Sequence, residues 1–264
     1  MVRDVTDCPQ GKRWIGVTCW RLILAAGMVF VLGAPAAVAS DEWVSAIARR
    51  DLPAIERLLA QGNQDVNRAA KGGKTALMLA AAAGREELVS KLLAAGANVN
   101  SANARGGTAL MYAATHGDPK TVGVLLSRGA KVNAKAQNGW TALTLAAAKG
   151  YEAVVRQLLD SGADANIADI YGWTPLLRAV DGDRVGVVRI LLEDKSVQVN
   201  VGNEQGETAL HLAAGVGAFE IARLLIAHGA NVQAKDAAGR TPAMVAKAEG
   251  YASLAEFIER SEKK

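Results

Sequence analysis

Residues 141–166 read TALTLAAAKGYEAVVRQLLDSGADAN: a threonine, an alanine-rich stretch ending on glycine, a second apolar stretch, then Gly-Ala and Asn. The same opening recurs at Thr75, Thr108, Thr174, Thr208 and Thr241, in TALMLAAAAG, TALMYAATHG, TPLLRAVDGD, TALHLAAGVG and TPAMVAKAEG. Successive threonines are 33, 33, 33, 34 and 33 residues apart. A fixed period of this length decides the architecture, because one unit cannot bury its own apolar faces and must stack on neighbours.

Each unit reads as two helices. The threonine side chain can accept a backbone N–H as an N-cap, and Pro175 and Pro242 sit at the first helical position, where a missing N–H costs nothing. Alanines such as Ala80 to Ala83 and Ala146 to Ala148 permit close helix approach, and Gly84, Gly117, Gly150, Gly217 or Gly250 ends the first helix. Val154, Val155, Leu158 and Leu159, and likewise Ile221, Leu224 and Leu225, form one apolar stripe on each second helix. A glycine at 96, 129, 162 or 229 stops that helix, and Asn100, Asn133 and Asn166 suit the loop that follows through side-chain to backbone hydrogen bonds.

The pattern T-[AP]-L-x-x-A followed by LL-x-x-GA-x-x-N resembles the ankyrin repeat family over nearly all of residues 41–264. The resemblance implies an all-α solenoid of antiparallel helix pairs joined by β-hairpin loops, with hairpin tips and first helices lining a concave protein-binding face. The expected division is an N-terminal cap at 41–74, full repeats at 75–107, 108–140, 141–173, 174–207 and 208–240, and a C-terminal cap at 241–264, within one domain spanning 40–264. Residues 41–67 lack the T-x-L opening, and Lys247 replaces the alanine or valine of other units, as solvated ends require.

The first forty residues differ. Lys12, Arg13 and Arg21 precede an uncharged run from Leu22 to Ala39 that ends Ala37, Val38, Ala39 before Ser40. This is the order of a secretory signal peptide, residues 1–39, with cleavage between Ala39 and Ser40; the alternative is an uncleaved anchor. The expected location is therefore periplasmic in a Gram-negative bacterium, or otherwise secreted, with membrane contact only through the leader. Both cysteines, Cys8 and Cys19, fall inside it, which excludes disulfides, cysteine metal sites and a thiol nucleophile from the mature chain. The whole chain has 30 basic and 26 acidic side chains. Without Arg3, Lys12, Arg13, Arg21, Asp4 and Asp7 the balance is 26 against 24, which gives no electrostatic reason to expect nucleic acid.

No catalytic motif stands out, and no cofactor or metal is implied. The histidines, His116, His211 and His228, lack ligand spacing. His211, fourth in TALH, is structural by the resemblance and bonds a neighbouring loop, while His228 suits the end of a helix. Asp181 and Asp183 would anchor a metal-dependent hydrolase, but calcium-loop spacing is missing. In register, Asp183 stands where other units carry the helix-stopping glycine, so either it takes the left-handed conformation or Gly182 closes the helix one residue early.

The residues before the repeat threonines are Lys74, Gly107, Trp140, Trp173, Glu207 and Arg240, expected to point toward the binding face. Trp140 and Trp173, with Ile170 and Tyr171, form an aromatic tip suited to partner contact. His116, Lys149 and Asp181 at the ends of first helices would add polar contacts. The irregular LLEDKSVQVN, one residue longer than LLDSGADAN, marks this unit as the array's exception. The expected activity is non-enzymatic protein binding outside the cytoplasm as scaffold, inhibitor or immunity-type protein. The alternatives are an accessory factor for a periplasmic enzyme in oxidative-stress defence and the Asp181/Asp183 hydrolase.

Overall fold

In five units a threonine that caps and a glycine that turns left set the length of the first helix. Thr75, Thr108, Thr141, Thr174 and Thr241 have extended backbones, and their hydroxyls accept the N–H groups of Met78, Met111, Thr144, Leu177 and Met244. In the sixth unit Nδ1 of His211 takes over: it accepts from the N–H and the hydroxyl of Thr208 at 3.2 and 2.9 Å. Its Nε2 then donates to the Arg240 carbonyl at 2.9 Å, which fixes the tautomer and ties the unit to the next.

The computed structural model describes residues 36–261, with side chains from residue 42. Residues 1–35, which hold Cys8, Cys19 and most of the expected leader's apolar run, lie outside the described residues. The expected junction after Ala39 falls at the start of the first helix. Among the described residues no helix is long and apolar enough to cross a membrane.

Fourteen helices are found among the described residues. They pair as α1 (Ala36–Arg49) with α2 (Leu52–Ala60), α3 (Ala76–Ala82) with α4 (Glu86–Ala94), α5 (Ala109–His116) with α6 (Pro119–Ser127), and α7 (Ala142–Lys149) with α8 (Glu152–Asp160). The remaining pairs are α9 (Pro175–Asp181) with α10 (Val185–Glu193), α11 (Ala209–Gly215) with α12 (Phe219–Ala227), and α13 (Pro242–Ala248) with α14 (Ala252–Ser261). First helices α3, α5, α7, α9, α11 and α13 pack in sequence on one another, and second helices α4 through α14 form a parallel row behind them.

Between first helices the contact is made of Ala80, Ala81, Ala113, Ala114, Ala146, Ala147, Ala179, Ala213 and Ala214, all fully buried. Leu88, Leu92, Leu110, Leu125, Leu143 and Leu158 fill the space between the rows, each contributing about 2 kcal/mol by leaving water. At the C-terminal end Lys247 is exposed and paired with Glu259 at 2.6 Å, so a solvated ion pair stands where another unit would otherwise pack.

Two features differ from the sequence reading. A β-ladder forms between β1 (Ala69–Ala70) and β2 (Lys74–Thr75), with isolated bridges at Ala102–Thr108 and Gly202–Thr208; the other connections are turns. The asparagines act between units. Asn133 donates to the Gly162 carbonyl at 3.1 Å and accepts from Asp164 N–H at 2.9 Å, and Asn67, Asn100 and Asn200 repeat this onto Gly96, Gly129 and Gly229. Asn166 does the same onto Ser196 and Gln198, both at 2.8 Å. The extra residue of the fifth unit is absorbed beside Asp194, whose carboxylate accepts from Ser196 N–H, and the bridge survives it.

Asp183 resolves the choice left open by the sequence. Its φ is 53°, whereas Gly182 has an ordinary φ of −84°. An exposed aspartate thus occupies the left-handed slot that Gly84, Gly117, Gly150, Gly217 and Gly250 fill elsewhere. Asp183→Gly is expected to stabilise the chain by roughly 0.5–1 kcal/mol through relief of that strain, seen as a higher denaturant midpoint. An unchanged or lower midpoint would refute the assignment.

Candidate binding surface

The turn before each repeat threonine exposes its third and fourth preceding residues at a tip, and the tips are joined to one another. Ala104 N–H donates to the Gly72 carbonyl, Gln137 to Arg105, Ile170 to Asn138, Glu204 to Tyr171 and Ala237 to Gln205, at 2.8 to 3.1 Å. Six turns are thereby linked into one backbone row. Behind the tips, Asn103, Asp169, Asn203 and Asp236 each use one side-chain oxygen to accept two N–H groups of their own turn. Four of the six turns are thus held from inside by a side chain, the other two carry Ala70 and Ala136 there, and all six are held by a neighbour.

Asp169 does more than its counterparts. Oδ1 accepts from Tyr171 and Trp173 N–H at 2.9 and 3.0 Å, while Oδ2 accepts from Trp140 Nε1 at 3.0 Å and Arg178 at 2.6 Å. The Arg178 guanidinium lies 5.0 Å from the Trp140 ring centre and 4.4 Å from that of Trp173. Two indoles and a fully buried carboxylate therefore enclose one arginine, whose Nε is buried without a partner. Burial alone would raise the Asp169 carboxyl. The hydrogen bonds from Arg178, Trp173 and Tyr171, with the charge of Arg178, outweigh it and hold the group below the ordinary carboxylate range.

This corrects the expected direction of the residues before the threonines. Trp140 and Trp173 are half-buried and committed to Arg178, Glu207 accepts from Asn203 at 2.9 Å, and Arg240 donates to Asp236 at 2.7 Å. The side chains that stand free are Ile170 and Tyr171, each 55% exposed. One tip earlier, an open cleft of about 490 Å³ is bounded by Arg105, Met111, Tyr112, Thr115, Leu145, Trp140 and the turn at Ala136 to Asn138. Tyr112 is fixed in its wall by Asn103, which donates to the phenol at 2.8 Å.

His116, Lys149 and Asp181 are exposed and form the last residues of α5, α7 and α9. They stand about 10 Å along the helix axes from the tips, a row of their own rather than part of the aromatic group. His116 packs its ring over Gly84 of the preceding unit, where any Cβ would collide with it. His228 is exposed, and its Nδ1 lies 2.8 Å from the Leu224 carbonyl at the end of α12. Asp181 and Asp183 are both exposed, and among the described residues no group of three or more His, Cys, Asp or Glu side chains is placed to hold a metal.

Asp169 and Arg178 are the residues that pattern reading passes over. Their signal is column position: Arg178 stands where the other units place Leu79, Tyr112, Leu145, Leu212 and Val245. A cation in an apolar column needs a carboxylate, and the adjacent turn supplies one.

Family models described as ankyrin repeats match residues 43–136, 133–203 and 190–246. Ankyrin repeat domain-containing protein 63 of human and of mouse is 38% identical over 71 residues, 27% of this chain. The match spans 19% and 18% of those two relatives' lengths. Among solved structures, the ankyrin repeat domain of Bcl-3, titled a unique member of the IkappaB protein family, superposes with a TM-score of 0.70 at 30% identity, covering 83% of this chain and 97% of that one. The human ASB11 ankyrin repeat domain gives 0.72 at 28% identity, covering 83% and 96%.

Proposed function

The chain belongs to the ankyrin repeat family, and from that premise we propose a non-enzymatic module that holds a partner protein on its tip row outside the cytoplasm. The observation that supports this most is the pair Ile170 and Tyr171, two large apolar side chains more than half exposed on a row of turns joined through their backbones. An aromatic held on rigid backbone presents contact area at little entropic cost, which is the usual make-up of a binding hot spot. Such a module acts by occupancy, as scaffold or inhibitor, without changing a bond. Export rests on the leader-like order of residues 1–39, and N-terminal sequencing of the extracytoplasmic protein tests it. A chain retaining Met1 in the cytosol would overturn that part.

The Ile170→Ala, Tyr171→Ala double variant separates binding from folding. Neither side chain is buried, so unfolding stability should change by less than about 0.5 kcal/mol, while partner affinity falls at least about tenfold. Capture of the partner at full strength by the folded double variant would remove these residues from the site.

A further inference from the structure

The joined tips carry their charges in order. In the first and second units the tip presents Lys71 and Arg105, in the third the neutral Gln137 and Asn138, in the fourth Ile170 and Tyr171, and in the fifth Glu204, all exposed. Lys71, Arg105 and Glu204 form no ion pair with one another or with any other side chain among the described residues. Arg68 and Lys74 add positive charge at the Lys71 end of the row, Lys135 stands at the Gln137 turn, Glu207 adds negative charge beyond the aromatic tip, and Lys235 precedes the last turn. The cleft beside Trp140 is lined by one cation, Arg105, and by no acid. The nearby Arg178 is already neutralised by Asp169 at 2.6 Å, so it does not blur the order.

Resting on the protein-binding reading, we infer that the tip row takes an extended protein segment whose charge order is opposite to its own. Acidic side chains lie over Lys71 and Arg105, an apolar or aromatic side chain packs against Ile170 and Tyr171, and a basic side chain lies over Glu204. The tip spacing sets the segment's pattern. Neighbouring units of packed helices are about 10 Å apart, so Lys71 and Glu204 are separated by roughly 40 Å, the reach of about 12 extended residues. Arg105 to Ile170 is two steps, about six residues, and Ile170 to Glu204 is one step, about three. Unpaired charges on such a row choose between partners and their orientations more than they add affinity.

The test uses a displayed library of random 16-residue segments, selected at low salt on the full-length chain and on its Lys71→Glu, Arg105→Glu, Glu204→Lys variant. On the wild type, enriched segments should carry acids, then an apolar residue about six positions on, then a base about three further, in either chain direction. On the variant the order should invert, and a segment from one selection should bind the other protein at least about tenfold more weakly. Segments that bind without charge order, or with the same order on both proteins, overturn the inference and leave the binding module standing. A library that yields no binder to either folded protein overturns the binding reading as well.

Discussion

Asp169→Ala is expected to destabilise the chain by about 3 kcal/mol, measured by denaturant unfolding at pH 7. The carboxylate is fully buried, so its removal strands Arg178 between two indoles, leaves Trp140 Nε1 without an acceptor and opens the turn at Tyr171 and Trp173. Arg178 is 20% exposed and can recover some hydration, which keeps the loss near the lower end for a broken buried pair. Asp169→Asn should lose about half as much, because an amide oxygen can still accept the two turn N–H groups, as Asn103 and Asn203 do in their units. The contribution also has a pH signature. Folding lowers the Asp169 carboxyl, so the stability it supplies is present above the ordinary carboxylate range and is lost as pH falls through the folded value. The gap between wild type and Asp169→Asn should therefore be full at pH 7 and shrink below about pH 4. An alanine variant within 1 kcal/mol of wild type at pH 7 would show that the cluster is peripheral.

What was legible in the sequence and what was not divide along one physical line. Caps, stops and apolar stripes are local: Thr141 meets Thr144 and Gly150 meets Ala146, and a single unit displays them. Contacts between units join residues about one period apart, and no pattern within a unit shows their direction. Asn133 reads as a loop residue until Gly162 and Asp164 are brought beside it. Trp140 reads as a free anchor until the next turn places Asp169 on its indole nitrogen and Arg178 on its face. The irregular LLEDKSVQVN stood out in the sequence, yet the fold accommodates it at Asp194 without losing the Asn166 bridge. Irregular spacing thus marked a place where length is tolerated. Of the site's most constrained residues, Asp169 sits in the preceding unit of ordinary spacing and Arg178 on the first helix of the long unit, before the extra residue at Asp194.

Gly139→Ala should cost about 3 kcal/mol, a large effect for one methyl group, because two penalties coincide. The residue has φ of 82°, so any Cβ meets the left-handed strain of roughly 1 kcal/mol. The same Cβ would also lie 2.7 Å from the Asp169 Cα and 3.1 Å from the Ile170 nitrogen, and these are backbone atoms with no side-chain rotation available. Relief requires the third and fourth tips to separate, which breaks the Ile170 N–H bond to the Asn138 carbonyl and shifts Asp169 within its cage. Gly129→Ala isolates the first penalty, since Gly129 has φ of 81° and open space around the added carbon. Subtracting the two leaves about 2 kcal/mol for the tip contact itself. Hydrogen exchange supplies a second reading: the Ile170 amide should lose protection in Gly139→Ala and keep it in Gly129→Ala. Equal costs and equal protection in the two variants would mean that the tips are neighbours without being joined. The charge order from Lys71 to Glu204 would then be carried on independent loops rather than on one rigid row, and a partner would have to order those loops as it bound.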